Sequence, residues 1–488
     1  MIDPEDEPIP TARPMARQFV ALLVIGTATS LSLGLTLRTR TQLEANDISR
    51  WCTVWSLVER GTYAIDDCPW QSKTQDKVRK VSPFEKDRPG APEHYYSSKP
   101  ALLPSMIAGI LYPIRKLTGV PLDAEVLQPR TPRPDRPDQT QEPVRWPVYV
   151  FYFKSTIVAL NVLPYLIFLI LFARYLDRTI RNDWAWFAGL VSAAWATPLI
   201  VFNTTLNNHS VAAYSAFFAV YALLRIWDTP RPSKVAEHDL GQPVRTPYGL
   251  YAAAGFFGAF AACNELPAAS FGILLFLCVL VRSTRATLLA FVPAAAIPCV
   301  AFLATLYFST GGFTPFYAEF GGPSYEYEGS YWTHPLEMDW FDKHPEPWWI
   351  YLLHLTIGHH GMFSLTPVFL LGIVPMLRGL FGVDRRIALL AGLTFVLTVG
   401  LFAFYTWKTH NYGGSTQGQR WLFWIYPFWL MLAAPGFEPG QSHRGFRWFG
   451  LICLVLSVFS VGYGLQMPWS HPWILDLLEH LKLYSLTR

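Results

Sequence analysis

Charge is what this sequence has least of. Only 15% of its 488 residues are Asp, Glu, Lys or Arg, where soluble domains carry nearer a quarter, so an ordinary cytosolic enzyme is excluded. The net charge of +4 is small and scattered along the chain, which excludes a nucleic-acid reader. Six cysteines, none in a CxxC pair with a second pair or a histidine partner, exclude a zinc or iron–sulfur framework. There is no HExxH string, no glycine loop followed by Lys-Ser/Thr and no internal repeat. What the sequence does have is 51% apolar residues, 16% aromatic residues and a mean hydropathy of +0.23. The apolar residues come in blocks of about 17 to 25, the length that crosses the hydrocarbon core of a bilayer. The pattern is that of an all-α, polytopic integral membrane protein.

Apolar blocks fall at 18–37, 149–173, 184–203, 209–227, 249–264, 267–282, 287–308, 362–378, 386–405, 420–435 and 447–466, which predicts about eleven transmembrane helices in one polytopic domain, 1–488. A further apolar stretch, 101–114, is short and carries Pro104 and Pro113, which suits an interfacial or re-entrant segment better than a span. Charge sidedness supports that choice, because leaving 101–114 out places the basic loops together. These hold Arg174, Arg178 and Arg181; Arg225, Arg231, Lys234 and Arg245; Arg282 and Arg285; Arg378, Arg385 and Arg386; and Arg444 and Arg447, all on the side of Arg13 and Arg17. Lys and Arg stay inside, so the N-terminus is expected to be cytoplasmic and the C-terminus extracytoplasmic. The first block is read as a retained helix, because no small-residue cleavage site follows it. Residues 38–148 then form a large first extracytoplasmic segment and 311–361 a second. Within the first, 121–147 reads as an irregular Pro- and Arg-rich loop.

Polar residues concentrate on the outer side. The first segment opens with Glu44-Ala45-Asn46-Asp47, followed by Ile48, Trp51, Cys52, Trp55 and Val58 on one helical face, the pattern of an amphipathic helix along the membrane surface. Asp47 is either the helix N-cap, with Asn46 as the other choice, or a general base held at the outer surface. Lys99 and Arg50 either snorkel or neutralise a lipid phosphate. Asn207-Asn208-His209 lies where two spans meet, and Asn208 and His209 can cap a helix or orient a sugar hydroxyl. Glu265, in Asn264-Glu265-Leu266-Pro267, breaks an apolar run; it caps a helix or serves a site near membrane depth. The string 409–421 carries Tyr412, three glycines and then Arg420 at a helix start, and is either a tight interfacial turn or an anion site of exposed N–H groups. The aromatics Tyr325, Tyr327, Tyr331, Trp332, Trp340, Trp348 and Trp349 suit sugar faces or an interfacial belt. His354, His359 and His360 lack a metal-ligand pattern, and adjacent His359 and His360 would diverge on a helix, so no metal is assigned. Cys52 and Cys68, both on the outer side, are expected to bridge.

An N-terminal span, a long outer segment opening with an acidic motif, the string Lys99-Pro100-Ala101-Leu102-Leu103-Pro104 and about eleven spans together resemble the GT-C superfamily of lipid-carrier-dependent glycosyltransferases. The nearest likeness is to bacterial relatives of protein mannosyltransferases and aminoarabinose transferases. The strings Gly361-Met362-Phe363-Ser364-Leu365-Thr366-Pro367 and Asn411-Tyr412-Gly413-Gly414 through Gly418-Gln419-Arg420-Trp421 are similar to stretches of such proteins. The resemblance implies a GT-C-like helix bundle with amphipathic juxtamembrane helices in the first outer segment, sited in the plasma membrane of the cell envelope. It implies inverting transfer from a polyprenyl-phosphate sugar to an acceptor that is a protein, lipid or glycan, with Asp47 as base. Lys99, Arg420 and Arg50 would hold the donor phosphate, and Asn208, His209, Glu265 and Tyr412 are candidates for substrate contact. No cofactor is required, although a divalent metal is compatible. Asn46-Asp47 departs from the Asp-Glu of many mannosyltransferases, and no aspartate follows Trp348-Trp349. The alternative class is a transporter or flippase of a lipid-linked sugar; that class places charge at the bilayer midplane and shows repeats, whereas here the polar groups crowd the outer side.

Overall fold

The computed structural model describes residues 15–128, 144–230, 245–319, 322–330, 346–382, 385–409, 411–465 and 467–484. The expected roles of Arg231, Lys234, Tyr331, Trp332, Trp340 and most of the acidic stretch up to Asp342 lie outside these residues. The protein is mostly helical. Among the described residues, seven helices are long and apolar enough to cross a membrane: α1 (Met15–Arg38), α4 (Val148–Thr179), α5 (Asp183–Phe202), α6 (Asn208–Asp228), α9 (Thr284–Thr310), the Ile387–Lys408 part of α12 (Arg385–Lys408) and α14 (Arg444–Gly464). The other four expected spans are shorter. They are α7 (Tyr248–Asn264), α8 (Leu266–Arg282), α11 (Pro367–Phe381) and a 3₁₀ turn, Arg420–Ile425, running into α13 (Tyr426–Gly436). Proline explains several of these shortenings, since Pro267, Pro367 and Pro427 sit in first turns, where a missing N–H does no harm but a longer helix could not run through.

Two compact units emerge, one of Thr36–Leu160 with Ala301–Thr333 and one of the remaining residues. The larger unit is a helix bundle. Its α5 and α6 are mostly buried, whereas α9 is largely uncovered and presents Leu289, Ile297 and Val300 outward. Apolar side chains turned outward along a helix of this length suit lipid. Side-chain caps start α5 and α6, where Asn182 Oδ1 accepts from Ala185 N and Asn207 Oδ1 accepts from Ser210 N, each at 2.7 Å. Helices pack closely where a Cβ is missing: one built at Gly255 of α7 would lie 2.2 Å from the Phe291 carbonyl oxygen. One end of this bundle gathers the start of α1 and two of the basic loops. Arg17 donates to Asp183 and to the Arg181 carbonyl, both at 2.6 Å, and Arg447 lies over Trp184. These contacts put the N-terminal helix start and two of the basic loops at the same end, as sidedness requires.

The smaller unit contains α2 (Ala45–Glu59), the antiparallel ribbon β1 (Lys77–Val81) with β2 (Glu93–Ser97), α3 (Leu102–Thr118), and a second ribbon of β3 (Glu125–Gln128) with β4 (Val144–Pro147). The second ribbon orders the two ends of the stretch read from sequence as irregular loop. Its register sets Val126 opposite Trp146. The segment at 101–114 becomes α3, which packs against α2, buries Leu103, Ile107 and Leu111, and is ended by Gly119 in the left-handed region at φ 69°. Its Arg115 pairs with Glu59 at 3.0 Å, and Glu59 also accepts from Leu122 N at 2.8 Å. An ion pair tying the end of α3 to the end of α2 fits a helix that belongs to this unit rather than one that spans. Cys52 and Cys68 are buried free thiols here, so the expected bridge is not formed. Burial first, then the neighbouring Cys68 thiol, push the Cys52 thiol well above its ordinary range.

Candidate functional site

In the smaller unit the first turn of α2 collects charge. Glu44, in extended backbone, is the N-cap, and Asp47 is the third helical residue rather than the cap. The two form a reciprocal capping box, with the Glu44 backbone N–H donating to Asp47 Oδ2 at 3.3 Å. Asp47 has no exposed surface. The helix expected to show a polar face is covered on that side too: Ser49, Arg50 and Ser56 are buried beside Trp51 and Trp55. The cover comes from the β1–β2 ribbon and the loop before it. Ser49 Oγ bonds the Asp76 carbonyl oxygen at 2.5 Å and Ser97 Oγ at 2.6 Å, and Thr74 Oγ1 donates to the Ala45 carbonyl at 2.8 Å. Arg50 Nη1 donates back to Asn46, at 3.2 Å to its carbonyl and 3.3 Å to its side chain.

Lys99 reaches the same cluster and pairs with Asp76, Nζ to Oδ1 at 2.8 Å. Sequence reading missed Asp76, which lies in a plain Gln75-Asp76-Lys77 string whose only signal is its place before a strand. Burial is the chief influence on the neighbours: it raises the Glu44 carboxyl above its usual range, against the Ala45 N–H and Arg40, and it lowers Lys77. The first turn of α2 therefore brings together Asp47, Arg50 and Asn46, with the Asp76–Lys99 pair bound to it through Ser49.

In the larger unit, the structure joins Asn208, His209 and Glu265 directly. Asn208 Nδ2 donates to Glu265 Oε1 and to the Asn264 carbonyl, both at 2.7 Å, and His209 Nδ1 pairs with the same carboxylate oxygen. Glu265 does this because the chain is extended there, between α7 and α8, at φ −132° and ψ 102°. The aromatic residues Phe202, Phe423 and Trp469 lie alongside: His209 meets Phe423 edge-on, Phe202 meets both Phe423 and Trp469, and the Arg420 guanidinium lies 4.8 Å over Trp469. Polar groups and aromatic faces thus meet here in a closed arrangement.

The glycine-rich loop resolves into a turn. Gly413, Gly414 and Gly418 all have positive φ, and the Asn411 side chain accepts from Gly413 N at 2.6 Å and Gly414 N at 2.8 Å. Those N–H groups serve the loop itself, which favours the turn reading over the anion site. Tyr412 is fully buried and its hydroxyl donates to Glu346 at 2.6 Å. His359 and His360 do not diverge, because they lie in the turn after α10 (Trp348–Thr356) rather than on a helix, and their Nδ1 atoms are 2.5 Å apart. Glu346 and Tyr484, which complete this cluster, carried no sequence signal. Among the described residues no group of three His, Cys, Asp or Glu side chains is arranged to hold a metal.

No protein-family model and no curated protein matches this sequence. Among solved structures, the fold is similar to the crystal structure of an oligosaccharyltransferase from Archaeoglobus fulgidus in the apo form, at 9% identity and a TM-score of 0.46. That similarity covers 95% of this chain and 58% of the archaeal one.

Proposed function

We propose that the protein is a membrane glycosyltransferase that moves a sugar from a polyprenyl-phosphate donor to an acceptor hydroxyl on the extracytoplasmic side, with inversion, and that Asp47 is the base. The observation that carries this reading is the buried charge at the start of α2, in the first outer segment. Asp47, Arg50 and Asp76 are each no more than 3% exposed. Burying ions costs several kcal/mol each unless they are paired, and the capping box accounts for Asp47 but not for the buried Arg50 and Asp76 beside it. A cluster of buried charges is a functional-site candidate on that ground.

In the proposed reaction the acceptor oxygen attacks the anomeric carbon as Asp47 takes its proton. The bond from that carbon to the phosphate oxygen breaks, and the carrier phosphate leaves with the electron pair. Lys99 and Arg50 are proposed to hold that phosphate, since charge-assisted bonds to a leaving dianion strengthen as charge develops, and Arg420, in the larger unit, is proposed separately as an anion contact. Asn208, His209 and Glu265, beside Phe202 and Trp469, are the proposed contacts for sugar hydroxyls. Asp47 is covered in this structure, so acceptor binding must uncover it. The test is sugar transfer by the purified chain from a polyprenyl-phosphate donor, with Asp47→Asn as the comparison. Transfer by the parent and at least a hundredfold less by the variant supports the reading; no transfer by the parent from any such donor, or equal transfer by both, overturns it.

A further inference from the structure

Four histidines in the larger unit converge without any metal pattern. His354 stacks on His359 with ring centroids 3.9 Å apart, His359 meets His360 at 4.7 Å, and His360 meets His471 at 6.5 Å. His359 and His360 are fully buried. Their Nδ1 atoms share one hydrogen bond at 2.5 Å. Such a bond needs one nitrogen as acceptor, and a ring protonated on both nitrogens has none, so the pair cannot persist as two cations. Like charges at these separations in a buried site would also repel strongly.

The cluster packs against the loop at 411–419 and against Tyr484, whose ring lies 5.0 Å from His354 and 4.9 Å from His359. Tyr412 stacks on His360 at 5.0 Å and on Tyr351 at 4.8 Å, and meets His359 edge-on at 4.8 Å. Its hydroxyl and that of Tyr484 each donate to one oxygen of Glu346, both at 2.6 Å. Tyr351 donates to the Asn411 carbonyl at 2.9 Å, and Gln417 donates to the His471 carbonyl at 2.7 Å. The ionisable groups facing His359 are thus His354 and Glu346 from α10 and the residues before it, His360 beside it, Tyr412 from the loop, and His471 and Tyr484 from the C-terminal stretch. Glu346 favours a proton on His354, whereas the three other histidines oppose one on His359.

We propose that this histidine cluster is an acid-operated latch on the glycine loop: neutral, it holds Tyr412 and the loop against α10, and protonated, it releases them. The direction follows from burial, which lowers both His354 and His359 below the ordinary imidazole value, so the released loop binds protons more tightly than the latched one. Acid therefore drives release, below the ordinary value near ~6.5. A consequence that rests on the proposed function is that acid would also loosen Arg420, the residue after the loop.

The test is a nitroxide at Ser415→Cys in the full-length protein, with exposed Cys299 replaced by Ser, read for mobility from pH 8 to pH 5. The expected result is a mobile fraction that rises at least about fivefold across that range, and that stays flat in His354→Gln/His359→Gln/His471→Gln. A flat curve in the parent overturns the latch, as does an equal rise in the variant. Where the triple variant does not fold, His354→Gln/His471→Gln serves instead; it leaves the buried pair in place, and a rise equal to the parent's counts against the latch. The measurement reads the latch whether or not the protein transfers sugar, and donor use against pH is scored separately.

Discussion

The start of α2 and the histidine cluster bury polar groups by opposite means. At α2 the groups are ions, answered by opposite charges and hydrogen bonds: Lys99 by Asp76, Arg50 by Asn46, and Asp47 by the Glu44 N–H. Around Tyr412 most of the groups are neutral rings stacked on one another, with a single carboxylate between two hydroxyls. An ionic cluster is held together by its opposite charges. A stack of imidazoles holds only while uncharged, so it responds to acid instead. The same contrast separates what substitution should do at each place.

The largest expected effect is at Asp47. Asparagine at that position still accepts from the Glu44 N–H but cannot take a proton, so Asp47→Asn should fold normally and lose about 10²- to 10⁴-fold in sugar transfer. Near-normal transfer with unchanged thermal stability would leave Asp47 a capping-box residue and nothing more. Next is Lys99→Ala, which leaves the Asp76 carboxylate buried without its ammonium; a loss of about 1–3 kcal/mol in unfolding free energy is expected. On the proposed function it should also raise the KM for the donor about tenfold or more with expression largely kept, and an unchanged KM would remove Lys99 from the phosphate site.

The third prediction is set by sign. His354 and His359 have folded-state values below the ordinary one, so between that value and lower pH the unfolded chain binds more protons than the folded one. Their stabilising contribution is present above about pH 6.5 and is lost on acidification, at a slope near 1.4 kcal/mol per pH unit for each proton taken up. Thermal melts of the parent and of His354→Gln/His359→Gln, compared at pH 8 and pH 5, check this; equal pH dependence in the two would show that other groups carry it. The smallest effect is expected where charge is exposed. Arg60 and Asp67 pair at 3.3 Å with more than half of each side chain in solvent, so Arg60→Ala should change stability by less than about 0.5 kcal/mol. A larger loss would mean that the guanidinium lying 5.0 Å over Trp55 matters more than the ion pair.

Some of this was legible without coordinates because it depends on neighbours in sequence. Apolar length gave the membrane class and seven of the span positions; Asn264 to Pro267 marked the break between α7 and α8; Arg17 and the Arg178–Arg181 loop fell at one end of the bundle as their charge required. The other four expected spans form shorter helices, since an apolar run does not reveal how much of it a proline leaves helical. Asn208 and His209 were picked out together and Glu265 apart from them, and the extended backbone at Glu265 is what joins them.

What the sequence by itself determined is where the chain is apolar, where it turns, and which polar residues stand at the ends of its helices, because these follow from periodicity and from the backbone demands of Pro, Gly and Asn. Only the tertiary structure decided which of those polar residues are answered and by what. Asp76 comes to Lys99 across a strand pairing, Glu346 comes to Tyr412 from 66 residues away and to Tyr484 from 138, and His359 turns toward His360 only because the helix has ended before it. Pairings of this kind carry no local pattern, since a buried charge or ring is satisfied by whichever partner the fold brings within hydrogen-bond distance.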